Sequence, residues 1–133
     1  MKKLFFLAAI AVTVFCACSN PHERADRLIG EYEQKTRIAA QELSKMDVDL
    51  SSEEEAFVEA FCRKIGFMTA AAVAKNWQLS TDELQYEAGK WGAKAEELKV
   101  PLSDEKMAYL EKYAEVKMYG ATVEVLKRWK QLN

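Results

Sequence analysis

Few side chains in this sequence of 133 residues could bind a metal or perform covalent catalysis. There is one histidine, His22, and there are three cysteines, Cys16, Cys18 and Cys62. A di-iron bundle requires Glu-x-x-His ligands repeated on facing helices, and c-type haem requires Cys-x-x-Cys-His; the sequence has neither pattern. A structural zinc site needs about four Cys or His ligands. We therefore expect neither a metal nor a cofactor.

Runs of acidic residues are the remaining candidates for chemistry, because two carboxyl groups can act as general acid and base. The densest run is Glu53-Glu54-Glu55, directly after Ser51 and Ser52. A helix is expected to begin at these serines, and the helix dipole favours acids in a first turn. The sequence also lacks a glycine-rich phosphate loop and a nucleophile elbow. It therefore predicts a protein without catalytic activity.

The N-terminal residues have the pattern of a secretory signal. Two lysines precede a short apolar run over residues 4–15. A membrane-spanning helix needs about 20 apolar residues, so this run is too short for a permanent anchor. The run ends in the sequence Phe15-Cys16-Ala17-Cys18.

A small residue before a cysteine, at the end of such a run, resembles the lipobox of bacterial lipoproteins. Phe15 stands where leucine is usual and Cys16 where alanine or serine is usual. The resemblance implies that residues 1–17 are removed and that Cys18 becomes the lipid-bearing first residue. At ~0.8 kcal/mol per buried methylene, several acyl chains would anchor it durably in a membrane. The residue after the cysteine is Ser19, whereas lipoproteins retained at the inner membrane have an aspartate there. In this respect the sequence resembles lipoproteins sorted to the outer membrane, facing the periplasm. The alternative is a soluble secreted protein.

The mature chain would be residues 18–133, enough for a single domain. Without the two lysines of the leader it carries 17 basic and 21 acidic residues, a net charge of −4. Nucleic-acid-binding proteins present a basic stripe, so we do not expect this partner. Cys62 would be the only unmodified cysteine, which leaves no intramolecular disulfide. Its apolar surroundings predict a buried hydrophobic side chain rather than a reactive thiol.

Four segments show apolar residues at helical spacing. Asn20, Ser51 and Ser103 are predicted N-caps, and Ser80 with Glu83 predicts a capping box at the third segment. The predicted helices are residues 21–46, 52–76, 81–99 and 104–132. Short connections favour antiparallel neighbours, so the sequence predicts an all-α, up-down-up-down antiparallel four-helix bundle. A flatter or splayed arrangement is the alternative.

The third segment has the most regular apolar stripe. Its members alternate by four and three residues: Leu84, Ala88, Trp91, Ala95 and Leu98. A stripe of this kind faces the core of a bundle. We therefore expect Trp91 to be largely buried.

All five glycines fall inside predicted helices: Gly30, Gly66, Gly89, Gly92 and Gly120. An interior glycine costs about 1 kcal/mol relative to alanine, so a reason for it is expected. One hypothesis is a pocket between helices near Gly66, Gly89 and Gly92. The other is close helix packing at the same positions.

The fourth segment is apolar on two sides. One stripe contains Leu110 and Ala114, and the second contains Tyr109, Tyr113 and Val116. Exposed Tyr residues are enriched at protein interfaces, so the second stripe is a candidate partner surface. The alternative is that this helix is central in the bundle and buries both stripes.

These observations favour a membrane-anchored, exported helical lipoprotein that acts as a protein-interaction module without catalysis. Its partner would be another protein or a second copy of the chain. The alternative is a carrier or sensor of an apolar small molecule held in a pocket between helices. The carrier predicts an apolar cavity at the glycines, and the interaction module predicts a filled core with an exposed patch.

We predict that Cys18→Ser releases the protein from membranes or leaves the precursor uncut, because the lipid then has no thiol to join. The intact mass of the wild-type mature protein is the direct measurement. It should show an acylated Cys18 at the N-terminus. An unmodified Cys18 thiol, or cleavage at another residue, would contradict the lipoprotein hypothesis.

Overall fold

The computed structural model describes residues 20–133 and contains four α-helices. They are α1 (Pro21–Ser44), α2 (Ser52–Asn76), α3 (Asp82–Leu98) and α4 (Asp104–Leu132). The all-α four-helix fold is confirmed, and the helix boundaries lie within two residues of those predicted. The predicted signal, residues 1–17, and Cys18 lie outside the described residues.

Side-chain caps begin three of the helices. Asn20, Ser51 and Ser103 each accept a hydrogen bond from a backbone N–H of the first turn that follows. The Glu54 carboxylate also accepts from the backbone N–H of Ser51, at 2.8 Å, which completes a capping box. These caps satisfy N–H groups that have no partner inside the helix, which is why the three starts could be predicted locally.

The predicted capping box of Ser80 with Glu83 is wrong. The N-cap of α3 is Thr81, whose side chain makes no capping hydrogen bond. The turn before it explains the shift: the Leu79 N–H donates to the Ala74 carbonyl of α2, at 2.8 Å. This bond ties Leu79 back to α2, so the chain enters helical geometry one residue later than the sequence motif indicates.

The helices pack in the spatial order α1, α4, α2, α3. In the described part of the chain, the backbone of α1 approaches only that of α4, and the backbone of α3 approaches only that of α2. The central helices, α2 and α4, are parallel, because Glu54 and Lys106 pair near their starts and Gly66 meets Lys117 further along. The four helices therefore form an open row, with the parallel pair at its centre.

The outer helices, α1 and α3, are antiparallel to the central pair. Asp26 near the start of α1 pairs with Lys130 near the end of α4, and Glu42 near the end of α1 pairs with Lys112. Helix directions therefore alternate along the chain, as predicted. The packed pairs differ from those of a closed up-down-up-down bundle, because α2 packs against α4, whereas the backbones of α1 and α2, and those of α3 and α4, do not approach each other.

Buried side chains form two clusters at opposite ends of the central pair. The first cluster joins the start of α1 to the ends of α2 and α4; its members include Ala25, Leu28, Tyr32, Val73, Trp77 and Leu126. The second joins the starts of α2 and α4 to the end of α3; its members include Phe57, Val58, Cys62, Ala95, Leu110 and Ala114. Both clusters use residues of α2 and α4, so this pair carries the core.

Trp91 is partly buried: its side chain packs against the second cluster, but it is not among the buried core residues. It lies on α3, whose backbone approaches only that of α2, and the Arg63 guanidinium of α2 lies 4.7 Å from the centroid of its ring. The buried tryptophan is Trp77, which is 5% exposed at the end of α2. Trp77 contacts Trp129 edge-on, with ring centroids 4.7 Å apart.

Cys62 is fully buried, as the sequence predicts. Its Sγ–H donates to the Leu110 carbonyl oxygen at 3.7 Å, across the α2–α4 contact. Burial raises the pKa of the Cys62 thiol to about 12, and the nearby Glu59 adds to this shift. The thiol is therefore protonated at neutral pH and packs as a small apolar side chain.

Helix α2 ends in a Schellman motif centred on Gln78. The Gln78 N–H donates to the Lys75 carbonyl, and Leu79 closes the second hydrogen bond of the motif. Gln78 has a φ of 58°, the left-handed conformation that glycine usually supplies at this position. A residue with a Cβ is strained there by roughly 1 kcal/mol.

We predict that Gln78→Gly stabilises the protein by about 1 kcal/mol and raises its melting temperature by about 4 °C. The control is Lys75→Gly, an exposed position in the last turn of α2, which should lower the melting temperature. Thermal unfolding followed by circular dichroism measures both. A lower melting temperature for Gln78→Gly would show that the left-handed turn is not part of the folded state.

Candidate functional site

An open groove crosses α2 and α4, with a volume of about 720 Å³. Small residues of the central pair form its floor: Gly66, Ala70, Gly120 and Ala121. Apolar side chains line its walls, among them Phe67, Leu84, Val116 and Val125. Leu84 belongs to α3 and Thr36 to α1, so every helix contributes to the groove.

The two floor glycines have different physical roles. A Cβ at Gly66 would lie 3.7 Å from the Cβ of Lys117, an ordinary contact, so Gly66 sits where α2 and α4 pack closely. A Cβ at Gly120 would meet nothing within 4 Å. The missing side chain of Gly120 therefore leaves open space in the groove, whereas that of Gly66 is covered by α4.

The structure does not bring the three glycines of the predicted pocket together. Gly66 lines the groove, but Gly89 is exposed on α3 and has no atom within 4 Å of its Cβ position. Gly92 packs beneath the aliphatic part of Lys64, with its Cβ position 3.6 Å from Lys64 Cδ. Sequence reasoning missed Gly120 as a groove residue, since an interior glycine alone does not reveal which face it occupies.

Three basic side chains and one acidic side chain line the groove: Arg63, Lys117, Arg128 and Glu124. The Arg63 guanidinium lies 4.7 Å from the centroid of the Trp91 ring, and its Nε donates to Glu59 Oε1 at 2.8 Å. Arg128 takes part in none of the ion pairs found among residues 20–133. The groove thus combines an apolar floor with a net positive rim.

The sequence-predicted partner surface, Tyr109, Tyr113 and Val116, is half-buried along α4, whereas Leu110 and Ala114 are fully buried. Tyr109 and Tyr113 pack against the second cluster, and their ring centroids are 6.1 Å apart. Val116 lines the groove. The two tyrosines therefore contribute to the fold, and Val116 connects their stripe to the groove.

Glu59 links the tyrosine stripe to the groove rim. Tyr113 Oη donates to Glu59 Oε2 at 2.9 Å, and Arg63 donates to the other carboxylate oxygen. The hydrogen bond from Arg63 lowers the pKa of Glu59, and the bond from Tyr113 lowers it further. Burial and the neighbouring Glu59 raise the pKa of Tyr113 to about 12. Glu59 therefore stays ionised, with Arg63 held beside the groove.

The groove holds no recognisable catalytic machinery. Among residues 20–133 there is no group of three or more His, Cys, Asp or Glu side chains that could hold a metal ion. His22 lies at the start of α1 against Trp129, with ring centroids 5.0 Å apart, and the Cys62 thiol is enclosed in the core. The arrangement can bind an amphipathic ligand through apolar contact and positive charge.

No family model matches the sequence, and comparison with curated proteins and with solved structures found no match. A search of the described helices found none that is both long and apolar enough to span a membrane.

We predict that Tyr113→Phe costs about 1 kcal/mol of folding free energy, because it removes the hydrogen bond to Glu59. Tyr113→Glu should cost more, since it brings a second carboxylate towards Glu59 in a half-buried position. Adding Glu59→Gln to Tyr113→Glu should restore part of the stability. Thermal melts of the four proteins measure this; wild-type stability for Tyr113→Glu would show that this side chain does not support the fold.

Proposed function

We propose that the protein is an exported, lipid-anchored interaction module that binds a protein partner along the groove between α2 and α4. The observation that carries the proposal is the groove itself, an open apolar channel of about 720 Å³ with a basic rim. The lipobox-like junction at Cys18 supports the anchor. The lack of assignable catalytic groups in sequence and groove supports a binding role.

The shape of the groove favours a helical segment as the partner. Its α4 side extends from Val116 to Arg128, which at 1.5 Å per residue is about 18 Å, or three helical turns. Amphipathic helices commonly bind by placing an apolar face in such a groove. The small floor residues would allow close approach, and acidic residues of the partner would face Arg63, Lys117 and Arg128.

A groove-to-groove homodimer is less consistent with this arrangement. A two-fold symmetric interface brings the same surface of each copy together. The basic rim of one copy would then face the basic rim of the other, and such like-charge contacts oppose association. The charge of the groove therefore favours a different, acidic partner.

One observation favours the alternative function, a carrier of an apolar small molecule. The groove volume lies within the range of roughly 300–1,000 Å³ found for small-molecule sites. Such sites bury most of the ligand surface, however, and this groove is open along its length. We therefore place the carrier second.

We predict that Gly120→Leu, which fills the groove, weakens partner binding by roughly 30-fold, the effect of losing an interface hot spot. The matched control is Gly30→Leu. Gly30 also has nothing within 4 Å of its Cβ position, but it lies on the exposed side of α1. Both substitutions improve helix propensity, so both proteins should remain folded.

The measurement compares proteins recovered with each variant from detergent-solubilised membranes, with affinities then determined for the purified partner. A partner recovered by wild type and Gly30→Leu but lost with Gly120→Leu, and again with Arg128→Glu, supports the proposal. Loss of a bound apolar small molecule with Gly120→Leu, and no change in bound proteins, would support the carrier instead. Unchanged binding by Gly120→Leu contradicts both functions for the groove.

A further inference from the structure

The charged residues are distributed unevenly along the long axis of the molecule. At one end, which we call the basic end, lie residues 20–27, 75–83 and 127–133, with six Arg or Lys and four Asp or Glu. At the other, the acidic end, lie residues 42–55 and 94–106, with four Lys and ten Asp or Glu. The difference is large for a chain whose mature net charge is −4.

Helix dipoles do not account for this asymmetry. Acids are favoured at helix N-termini and bases at C-termini. Each end of the molecule, however, contains two helix starts and two helix ends, because directions alternate along the chain. The dipole preference therefore acts equally at both ends, and another cause is needed for the difference in charge.

The basic end also carries side chains suited to a membrane interface. Trp129 is half-buried there between His22 and Trp77, and Leu132 in the last turn of α4 is 65% exposed. Tryptophan is enriched where lipid headgroups meet water, and an exposed leucine gains from contact with lipid. Arg27 and Lys75 are exposed at the same end and take part in none of the ion pairs among residues 20–133.

The predicted anchor lies next to this end. Cys18 is three residues before Pro21, the first residue of α1. Three extended residues span at most about 11 Å, so acyl chains on Cys18 would hold the start of α1 close to the membrane surface. The acidic end lies at the far side of α1, a helix of 24 residues and therefore about 36 Å long.

We infer that the basic end lies against anionic lipid headgroups, with the helices upright and the acidic end facing away from the membrane. The inference rests on the lipid anchor of the proposed function and does not depend on the groove. Each Lys or Arg near an anionic surface favours this orientation by about five-fold (about 1 kcal/mol). An anionic surface also repels the acidic end, so both ends favour the same orientation.

The test uses mature, lipidated protein reconstituted into vesicles of phosphatidylcholine brominated in its acyl chains, with or without phosphatidylglycerol. Bromine quenches the fluorescence of tryptophans near the lipid. We expect quenching of the wild-type protein in the anionic vesicles. Quenching should be unchanged in Trp91→Phe, because Trp91 lies on α3 away from the basic end. It should be largely lost in Trp129→Phe. Circular dichroism verifies the fold, and Trp91→Phe remains informative if Trp129→Phe does not fold.

Two matched charge reversals test the electrostatic part. Arg27→Glu with Lys75→Glu changes the basic end, and Lys45→Glu with Lys99→Glu makes the same change in net charge at the acidic end; all four side chains are exposed. The first pair should shift the orientation by roughly 25-fold through the loss of two cations alone, and further through the two added carboxylates, and reduce quenching to the level in neutral vesicles. The second pair adds negative charge to the end that faces away from the membrane, so it should leave quenching unchanged or increase it.

Each outcome bears on the inference. Equal effects of the two pairs, or quenching lost in Trp91→Phe rather than in Trp129→Phe, would overturn it. Intact mass reports lipidation of Cys18 separately. If the protein is lipidated but Trp129 is not quenched, only the inferred orientation of the basic end is contradicted. If the protein is not lipidated, the anchor is contradicted as well, since nothing would then hold this end at a membrane.

Discussion

The parallel packing of α2 against α4 is the interaction on which the rest of the structure depends. Gly66 lies at the contact of α2 with Lys117 of α4, and polar contacts at the same interface fix the register of the two helices. Glu54 accepts hydrogen bonds from Lys106, which lower the pKa of its carboxyl, and Glu59 accepts from Tyr113. Parallel helices cannot be joined by a short turn, so α3 must return the chain from the end of α2 to the start of α4.

This connection explains why the most regular amphipathic helix is the least buried. Helix α3 has 17 residues, about 25 Å, and it packs on the outer side of α2. Its backbone approaches only that of α2, and Ala95 is its only buried residue, whereas Trp91 is partly buried. Helix α4 is apolar on two sides because it packs between α1 and α2. Leu110 faces the second cluster with α2, whereas Tyr119 contacts Tyr32 of α1.

The helices could be predicted from sequence because caps and periodicity are local, whereas their packing partners could not. A stripe identifies the face that is buried but not the helix that covers it. Local reasoning failed at Ser80 because a contact of Leu79 with α2 sets the turn. In the groove, Gly66 and Val116 stood out in the sequence, but Arg63 and Lys117 did not, and Arg128 is explained in the sequence by the preference for basic residues at the end of a helix. A charged residue on a helix gains meaning only once the neighbouring helices are known, and Lys127 and Lys130 beside Arg128 form ion pairs with α1.

The two proposals constrain each other through geometry. The groove follows the central helices, so an upright molecule would open it sideways, with Arg128 nearest the membrane and Val116 further away. An acidic partner would be repelled both by anionic lipid below and by the acidic end above. Lateral approach to the basic rim is then the favoured route, because Arg63, Lys117 and Arg128 supply local positive charge. The polarised ends and the basic groove are therefore compatible parts of one proposed arrangement, in which charge would select both the orientation on the membrane and the direction of binding.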